Sequence, residues 1–253
     1  GIGYQSLETN TTGASNTGVG ADALFANTTA SDNTAVGTSA LAANTTGSRN
    51  TAVGSGAGTA LTTGSFNVAF GYNALNAEDT GSRSTAIGYF ALDSQNNDAA
   101  NHNTAVGFTA LEKTTTGVYN VACGSQALNA NTTASNNNAL GYNSLLSNTT
   151  GAHNNAFGTL ALDACTTGSY NVGIGSNAMG ALTTASNNVA IGYNAGANAT
   201  TDLVDSVLIG YQAGASGTQG QYNVGVGYNA LYSNTANENT AVGFNAMFAN
   251  TSG

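Results

Sequence analysis

The stretch NTAVGTSALAANTTGSRNTAVG, at Asn33–Gly54, carries the pentapeptide NTAVG at both ends, which indicates a 17-residue period. The pentapeptide recurs at Asn103–Gly107 and Asn239–Gly243, and close variants extend the pattern to fifteen marker glycines, most of them one period apart. The marker glycines are Gly3, Gly20, Gly37, Gly54, Gly71, Gly88, Gly107, Gly124, Gly141, Gly158, Gly175, Gly192, Gly210, Gly227 and Gly243. A period that fills the chain is typical of a solenoid, in which each repeat packs on its neighbours.

Each repeat alternates two short apolar runs with two turn-like runs, as in the consensus GYNALxxNTTGSxNTAV. A helix–turn–helix repeat needs about 34 residues, whereas this length suits one coil of a narrow solenoid with two short strands, stacked about 4.8 Å from the next coil. We therefore predict an all-β parallel β-solenoid (β-roll) of about fifteen coils. The irregular gaps are expected in turns, at Gly88–Gly107, Gly192–Gly210 and Gly227–Gly243. The repeat forms a single domain over residues 1–253, and since the chain begins and ends inside a motif, we expect a segment of a longer fibre.

Composition argues against several classes of function. Only 6% of the residues are charged, and the formal net charge of −9 comes from 12 acidic against 3 basic residues. Without a basic patch, we expect no binding to nucleic acid. Without an apolar run of about 18 residues, we expect no membrane span in this segment.

The residue pattern offers no catalytic or metal site. His102 and His153 occupy the same position of the repeat three coils apart, about 14 Å at the spacing of parallel strands, which is too far to share a metal. No serine is accompanied by a histidine and an acid in a nucleophilic arrangement. The 2 cysteines show no metal-binding or redox spacing. We expect no cofactor and no enzymatic activity.

The position before each marker glycine is apolar in every repeat. We predict that this column is the core of the coil, together with a second column of Leu or Met four residues after the glycine. The predicted core column comprises Val19, Val36, Val53, Phe70, Ile87, Val106, Cys123, Leu140, Phe157, Ile174, Ile191, Ile209, Val226 and Val242. Adjacent strand residues point to opposite faces. The alanine of each TAV run, as at Ala35, is therefore expected on the other face, where a neighbouring chain would contact it.

An asparagine precedes most of the predicted strands. Stacked asparagines can hydrogen-bond along a solenoid and satisfy the backbone groups of its turns. We predict such a ladder, with ligand binding as the alternative role. Its members are Asn16, Asn33, Asn50, Asn67, Asn103, Asn120, Asn154, Asn171, Asn188, Asn223 and Asn239.

Two further columns are candidates for contact with other molecules. The column five residues before the marker glycine is the most variable, so we expect it at a solvent-exposed edge, either as plain loop residues or as a receptor-contact stripe. The candidate contact residues of this stripe are Arg49, Arg83, His102, Tyr119, His153, Tyr170 and Tyr222. Asparagines in N-x-[ST] sequons are candidate glycosylation sites. They are Asn10, Asn27, Asn44, Asn131, Asn148, Asn198 and Asn250.

The stretch Asn33–Gly54 resembles the repeats of phage tail-fibre-like proteins and of trimeric autotransporter adhesin heads. The resemblance covers essentially the whole chain. It implies a left-handed parallel β-roll that assembles as an intertwined homotrimer and projects from a virion or a cell surface. The implied function is a rigid stalk in an extracellular or virion-surface fibre, with adhesion to a host-surface receptor or glycan.

Two other functions fit a β-solenoid. One is ice binding, for which flat threonine arrays serve; here, however, the strand threonines give way to residues such as Val68, Val121 and Asn138. The other is a monomeric solenoid that stacks end to end into a filament. The expected partners are thus copies of the chain itself, as a trimer or a polymer, and a receptor or glycan.

Overall fold

The computed structural model describes residues 1–98, 100–201, 203–216 and 220–250, which form strands, turns and bends without any helix. The chain divides into two compact units, Gly1–Ser125 and Gln126–Gly253. Each unit is a parallel β-solenoid with one three-residue strand in each coil. The prediction of an all-β parallel solenoid with a 17-residue period is therefore confirmed.

The strands follow one another at the period of the repeat. The first unit contains β1 (Thr17–Val19), β2 (Thr34–Val36), β3 (Thr51–Val53), β4 (Val68–Phe70), β5 (Thr85–Ile87), β6 (Thr104–Val106) and β7 (Val121–Cys123). The second contains β8 (Asn138–Leu140), β9 (Asn155–Phe157), β10 (Val172–Ile174), β11 (Val189–Ile191), β12 (Val207–Ile209), β13 (Val224–Val226) and β14 (Thr240–Val242). Within a unit, like positions pair: Val36 of β2 lies beside Val53 of β3.

The solenoid has about 13 turns, slightly fewer than the fifteen coils expected. Around the first marker glycine, Ile2 makes only an isolated bridge to Val19, so no strand forms there. The irregular gaps lie outside the strands, as expected, since the strands on either side stay in register. Ile87 pairs with Val106 across the longest gap, and Val226 pairs with Val242 across the shortest.

The second apolar run of each coil forms a tight turn rather than the expected strand. After Gly20, for example, Asp22 and Leu24 have φ angles of 57° and 54°. This left-handed conformation costs a residue other than glycine roughly 1–2 kcal/mol. Burial of the leucine, which is 0% exposed at Leu24, offsets that cost. Alternation of apolar residues alone does not reveal such a turn, because its signature is a backbone angle.

The prediction that the column before the marker glycines forms the core is wrong, because its side chains point outward. No residue of that column is buried: Phe70 is 54% exposed and Leu140 is 50% exposed. The residues that point outward are Val19, Val36, Val53, Phe70, Ile87, Val106, Cys123, Leu140, Phe157, Ile174, Ile191, Ile209, Val226 and Val242. Inside lies the middle residue of each strand, such as Ala35 and Ala105, both 0% exposed. The alanine column is therefore the interior and not a surface for another chain.

The width of the coil explains this reversal. The Leu column four residues after the marker glycines is buried as predicted from Leu24 to Leu231, whereas Leu7 is half-buried and Met247 is 40% exposed. The buried side chains of this column reach across to the strand. At Gly173, which takes the place of the strand alanine in β10, an added Cβ would lie 3.1 Å from Cγ of Leu162. Most strands carry alanine at this inward position, and the space opposite a leucine does not admit a side chain larger than a methyl group, so the bulkier Val, Ile and Phe side chains must face outward.

One site shows the same size rule in reverse. In β12 the inward position is Leu208, which is 0% exposed. The facing Leu column carries Gly196 there, where an added Cβ would lie 3.2 Å from Cδ1 of Leu208. The large residue thus lies on the strand and the small one in the Leu column, the reverse of the other coils, and the filled volume is conserved.

Candidate functional site

The asparagine column before the strands forms a ladder in both units. Oδ1 of Asn33 accepts the backbone N–H of Asn50 at 2.9 Å, and Nδ2 of Asn33 donates to the Gly47 carbonyl of the next coil at 2.8 Å. The same pair of bonds recurs one coil on, at Asn50. Each amide therefore joins two coils through their backbones, rather than through stacked amides alone.

A second asparagine ladder lies in the NTT turns. Nδ2 of Asn44 donates to Oδ1 of Asn27 at 3.0 Å and to the Gly47 carbonyl at 2.9 Å. Four of the candidate glycosylation sites belong to this column and are 0% exposed: Asn27, Asn44, Asn131 and Asn148. A glycan on any of these four would be incompatible with the coil stack. Asn198 is exposed, and Asn10 and Asn250 are partly covered, so these three remain candidates.

A signal for this buried ladder was present in the sequence. The same column contains Leu61, Cys165 and Leu182, which are residue types of the interior, and all three are 0% exposed. Sγ of Cys165 donates to the Gly168 carbonyl at 3.6 Å, the bond that an asparagine amide makes in other coils. Burial raises the pKa of the Cys165 thiol to about 11, so this cysteine stays a thiol at neutral pH and serves as part of the core.

Glu78 is a buried carboxylate in the same column, at 0% exposure. Its Oε1 accepts the Gly81 N–H at 2.8 Å, and its Oε2 accepts Nε2 of Gln95 at 2.7 Å and Nδ2 of Asn101 at 2.8 Å. Burial raises the pKa of Glu78 above its ordinary value of 4.5, and the hydrogen bonds from Gln95 and from the Gly81 backbone oppose the rise without cancelling it. The group sits beside the irregular coil, where the two additional residues lie between Asn96 and Asn101.

Glu78→Gln is expected to raise the melting temperature at pH 7.5 more than at pH 4. Because the folded-state pKa of Glu78 is raised, its contribution to stability is full below pH 4.5 and is lost as the pH rises through the folded-state value. Glutamine stays neutral at every pH. Oδ1 of Asn101, buried and without a hydrogen-bond partner among the described residues, can accept the new N–H after rotation of its amide.

Thermal melts followed by circular dichroism at the two pH values measure this effect. Glu8→Gln, at an exposed glutamate, is the matched control and should change the melting temperature little at either pH. An equal effect of Glu78→Gln at both pH values would show that Glu78 does not titrate with folding.

The variable stripe is exposed along both units, as expected. Its residues all adopt left-handed φ angles, from 50° at His102 to 64° at Arg83. Tyr119, Tyr170 and Tyr222 are 54%, 59% and 51% exposed. A position whose backbone is a local turn and whose side chain leaves the core tolerates many residue types, which accounts for the variability of this column.

Neighbouring stripe residues stack on one another. Arg49 and Arg83 lie over the ring of Phe66, with their guanidinium carbons 5.3 Å and 6.0 Å from its centroid. His102 stacks on Tyr119 at 5.3 Å. In the second unit, His153 stacks on Tyr170 at 4.9 Å with nearly parallel rings. The two histidines thus lie in different units, and each has an aromatic neighbour rather than an acid.

A second aromatic column follows the marker glycines. In the second unit, Tyr193, Tyr211, Tyr228 and Phe244 stack successively at 5.3, 5.0 and 5.2 Å. In the first unit, Tyr89 stacks on a ring above and a ring below, at 5.4 and 5.5 Å. Because the ring faces cover one another, solvent meets mainly the ring edges. Such stacked pairs add to the stability of neighbouring coils.

No pocket opens among the residues that the structure describes. Within the same residues, no group of three or more His, Cys, Asp or Glu side chains could hold a metal ion. The described ranges include no helix long and apolar enough to cross a membrane. Large exposed side chains lie on the stripe, as at Tyr170, and on the outward face of the strands, as at Phe70.

Comparison with known proteins adds no family to this description: no protein-family model, curated protein or solved structure matches the chain.

Proposed function

We propose that the chain is a structural segment of an extracellular or virion-surface fibre, in which three copies form a left-handed, intertwined β-roll. The observation that carries the proposal is the coil-to-coil bonding. Within each unit, neighbouring coils are joined by strand pairing, by asparagine ladders and, at several coils, by stacked rings. Such a unit resists bending and extends by repetition, as a stalk requires. The exposed stripe offers side chains for contact with a receptor or glycan.

The mass in solution tests the proposal. One chain has a mass of 24.9 kDa, and a trimer has three times this mass. Sedimentation equilibrium should give the trimer mass, and immunogold labelling of intact particles or cells should place the chain on their surface. An open-ended polymer would favour end-to-end stacking instead. A monomer with thermal hysteresis would favour ice binding.

The positions of the threonines support ice binding less than they support a fibre. The outward strand positions carry Val68 and Val121 among the threonines. In the NTT turns, Oγ1 of Thr28 donates to the Thr45 carbonyl of the next coil at 3.2 Å. Hydroxyl groups that bond the backbone of the next coil are not available to order water at a flat surface.

A further inference from the structure

The outward face of the strands carries no charge, and the third residue of every strand on it is apolar. We define the outer face as three columns: the first and third residues of each strand, and the residue after the marker glycine. On it lie Phe70, Phe157 and Ile174, which are 54%, 39% and 38% exposed, and Tyr142, which is 52% exposed. None of its positions carries Asp, Glu, Lys or Arg anywhere along the chain. An exposed apolar column of this kind, flanked by uncharged residues, marks contact with another molecule.

In the irregular coils, the strands on this face stay in register, and the change in length falls elsewhere in the coil. Ile191 and Ile209 pair in register although the coil between them is longer than the period, and the strands flanking the other two irregular gaps do the same. In the longest coil, Asn96 and Asn101 are hydrogen-bonded to neighbouring coils, so the two additional residues fall between these positions and outside the strands. Even spacing is thus kept on the outer face, which is where a partner with a regular repeat would need it.

We propose that the outer face is the surface on which further copies of this chain dock. The coil rise is fixed by backbone hydrogen bonds at about 4.8 Å. A partner with another repeat distance would lose register within a few coils, whereas a second copy has the same rise and keeps equivalent contacts at every coil. The inference rests on the proposed fibre. It places the contact between chains on the outward Val/Ile and aromatic columns, whereas the sequence had indicated the alanine column.

The available area is sufficient. Five residues across the face and one coil rise give about 80 Å² per coil, from a rise of roughly 3.3 Å per residue along a strand. The seven strands of each unit then offer about 560 Å², and the two units of one copy together offer about 1,100 Å², against roughly 800 Å² per partner in a standard interface.

Two phenylalanines of one coil provide a matched test. Phe70 on the outer face and Phe66 on the stripe are 54% and 48% exposed, so neither belongs to the core. Glutamate already occupies the stripe position at Glu238, with φ of 59°, so Phe66→Glu is tolerated by the backbone. Phe70→Glu should weaken association at least tenfold and yield the 24.9 kDa monomer, whereas Phe66→Glu should keep the wild-type mass. Sedimentation velocity over a range of concentrations measures both. Leu140→Glu, at 50% exposure, repeats the test in the second unit if Phe70→Glu does not fold.

Cys123 reports on the same face without a new side chain. It lies in the outward column, whereas Cys165 is 0% exposed. A maleimide should label Cys123 slowly in the wild-type assembly and at least tenfold faster in Phe70→Glu. Cys165 should stay unlabelled in both until the chain unfolds.

Two results would overturn the docking face. If Phe66→Glu dissociated the assembly and Phe70→Glu did not, the fibre would stand but its interface would lie on the stripe. If the wild-type chain were monomeric at all concentrations, with Cys123 labelled freely, both the docking face and the fibre would fail.

Discussion

Gly141→Ala is expected to lower the free energy of unfolding by about 4 kcal/mol. Gly141 has φ of 139°, a conformation that costs a residue with a side chain roughly 1–3 kcal/mol. In addition, a Cβ there would lie 2.5 Å from the carbonyl oxygen of Gly158 in the next coil. Backbone cannot rotate away as a side chain can, so the clash adds a cost similar to overpacking, about 1–3 kcal/mol.

Gly243→Ala separates the two costs. Gly243 has a similar φ of 128°, but within the described part of the chain nothing lies within 4 Å of an added Cβ. Gly243→Ala should therefore lower the free energy of unfolding only by the conformational cost, roughly 1–3 kcal/mol. Urea denaturation followed by far-UV circular dichroism measures both variants. Equal losses would mean that the next coil does not constrain the marker glycines.

Asn50→Ala should destabilise the first unit by about 4 kcal/mol. The side chain is 1% exposed. Its Oδ1 accepts the Asn67 N–H at 2.9 Å, and its Nδ2 donates to the Gly64 carbonyl at 2.8 Å. Alanine leaves a buried donor and a buried acceptor unpaired, and each such group costs about 1–3 kcal/mol.

Asn50→Ser is the graded control, because the chain itself uses serine in this ladder. Oγ of Ser206 accepts the Asn223 N–H at 3.1 Å. Serine at position 50 can therefore restore the acceptor for the next coil while the bond to Gly64 is lost. We expect its loss of unfolding free energy to be about half that of Asn50→Ala, again in urea titrations. If both variants lost the same amount, the hydroxyl would not replace the amide oxygen in this ladder.

The sequence predicted the period, the fold class and the parallel stacking, because marker glycines and asparagines recur wherever coils must fit. It also predicted that the Leu column is buried and that stripe residues such as Arg83 and His102 are exposed. Strand alternation showed that Val36 and Ala35 face opposite ways. It could not show which of them is inside, since that depends on how far the leucines reach across the coil.

Other features depend on backbone angles and on neighbours one coil away. The left-handed φ of Leu24 converts an apparent strand into a turn, and no local residue pattern distinguishes the two. Asn44 satisfies a glycosylation sequon, yet it is buried by the turns stacked on it. The buried network of Glu78 arises because Gln95 and Asn101 come from the following coil.

The in-register pairing of like positions has an evolutionary consequence. Deleting residues 38–54, one full period, would place Ser55 after Gly37 and join surfaces of the same design as those already in contact. Unequal recombination between repeats can therefore shorten or lengthen a unit in increments of about 4.8 Å without a new contact having to be selected. The length of a unit and the chemistry of its surface can then vary independently in descendants of this chain.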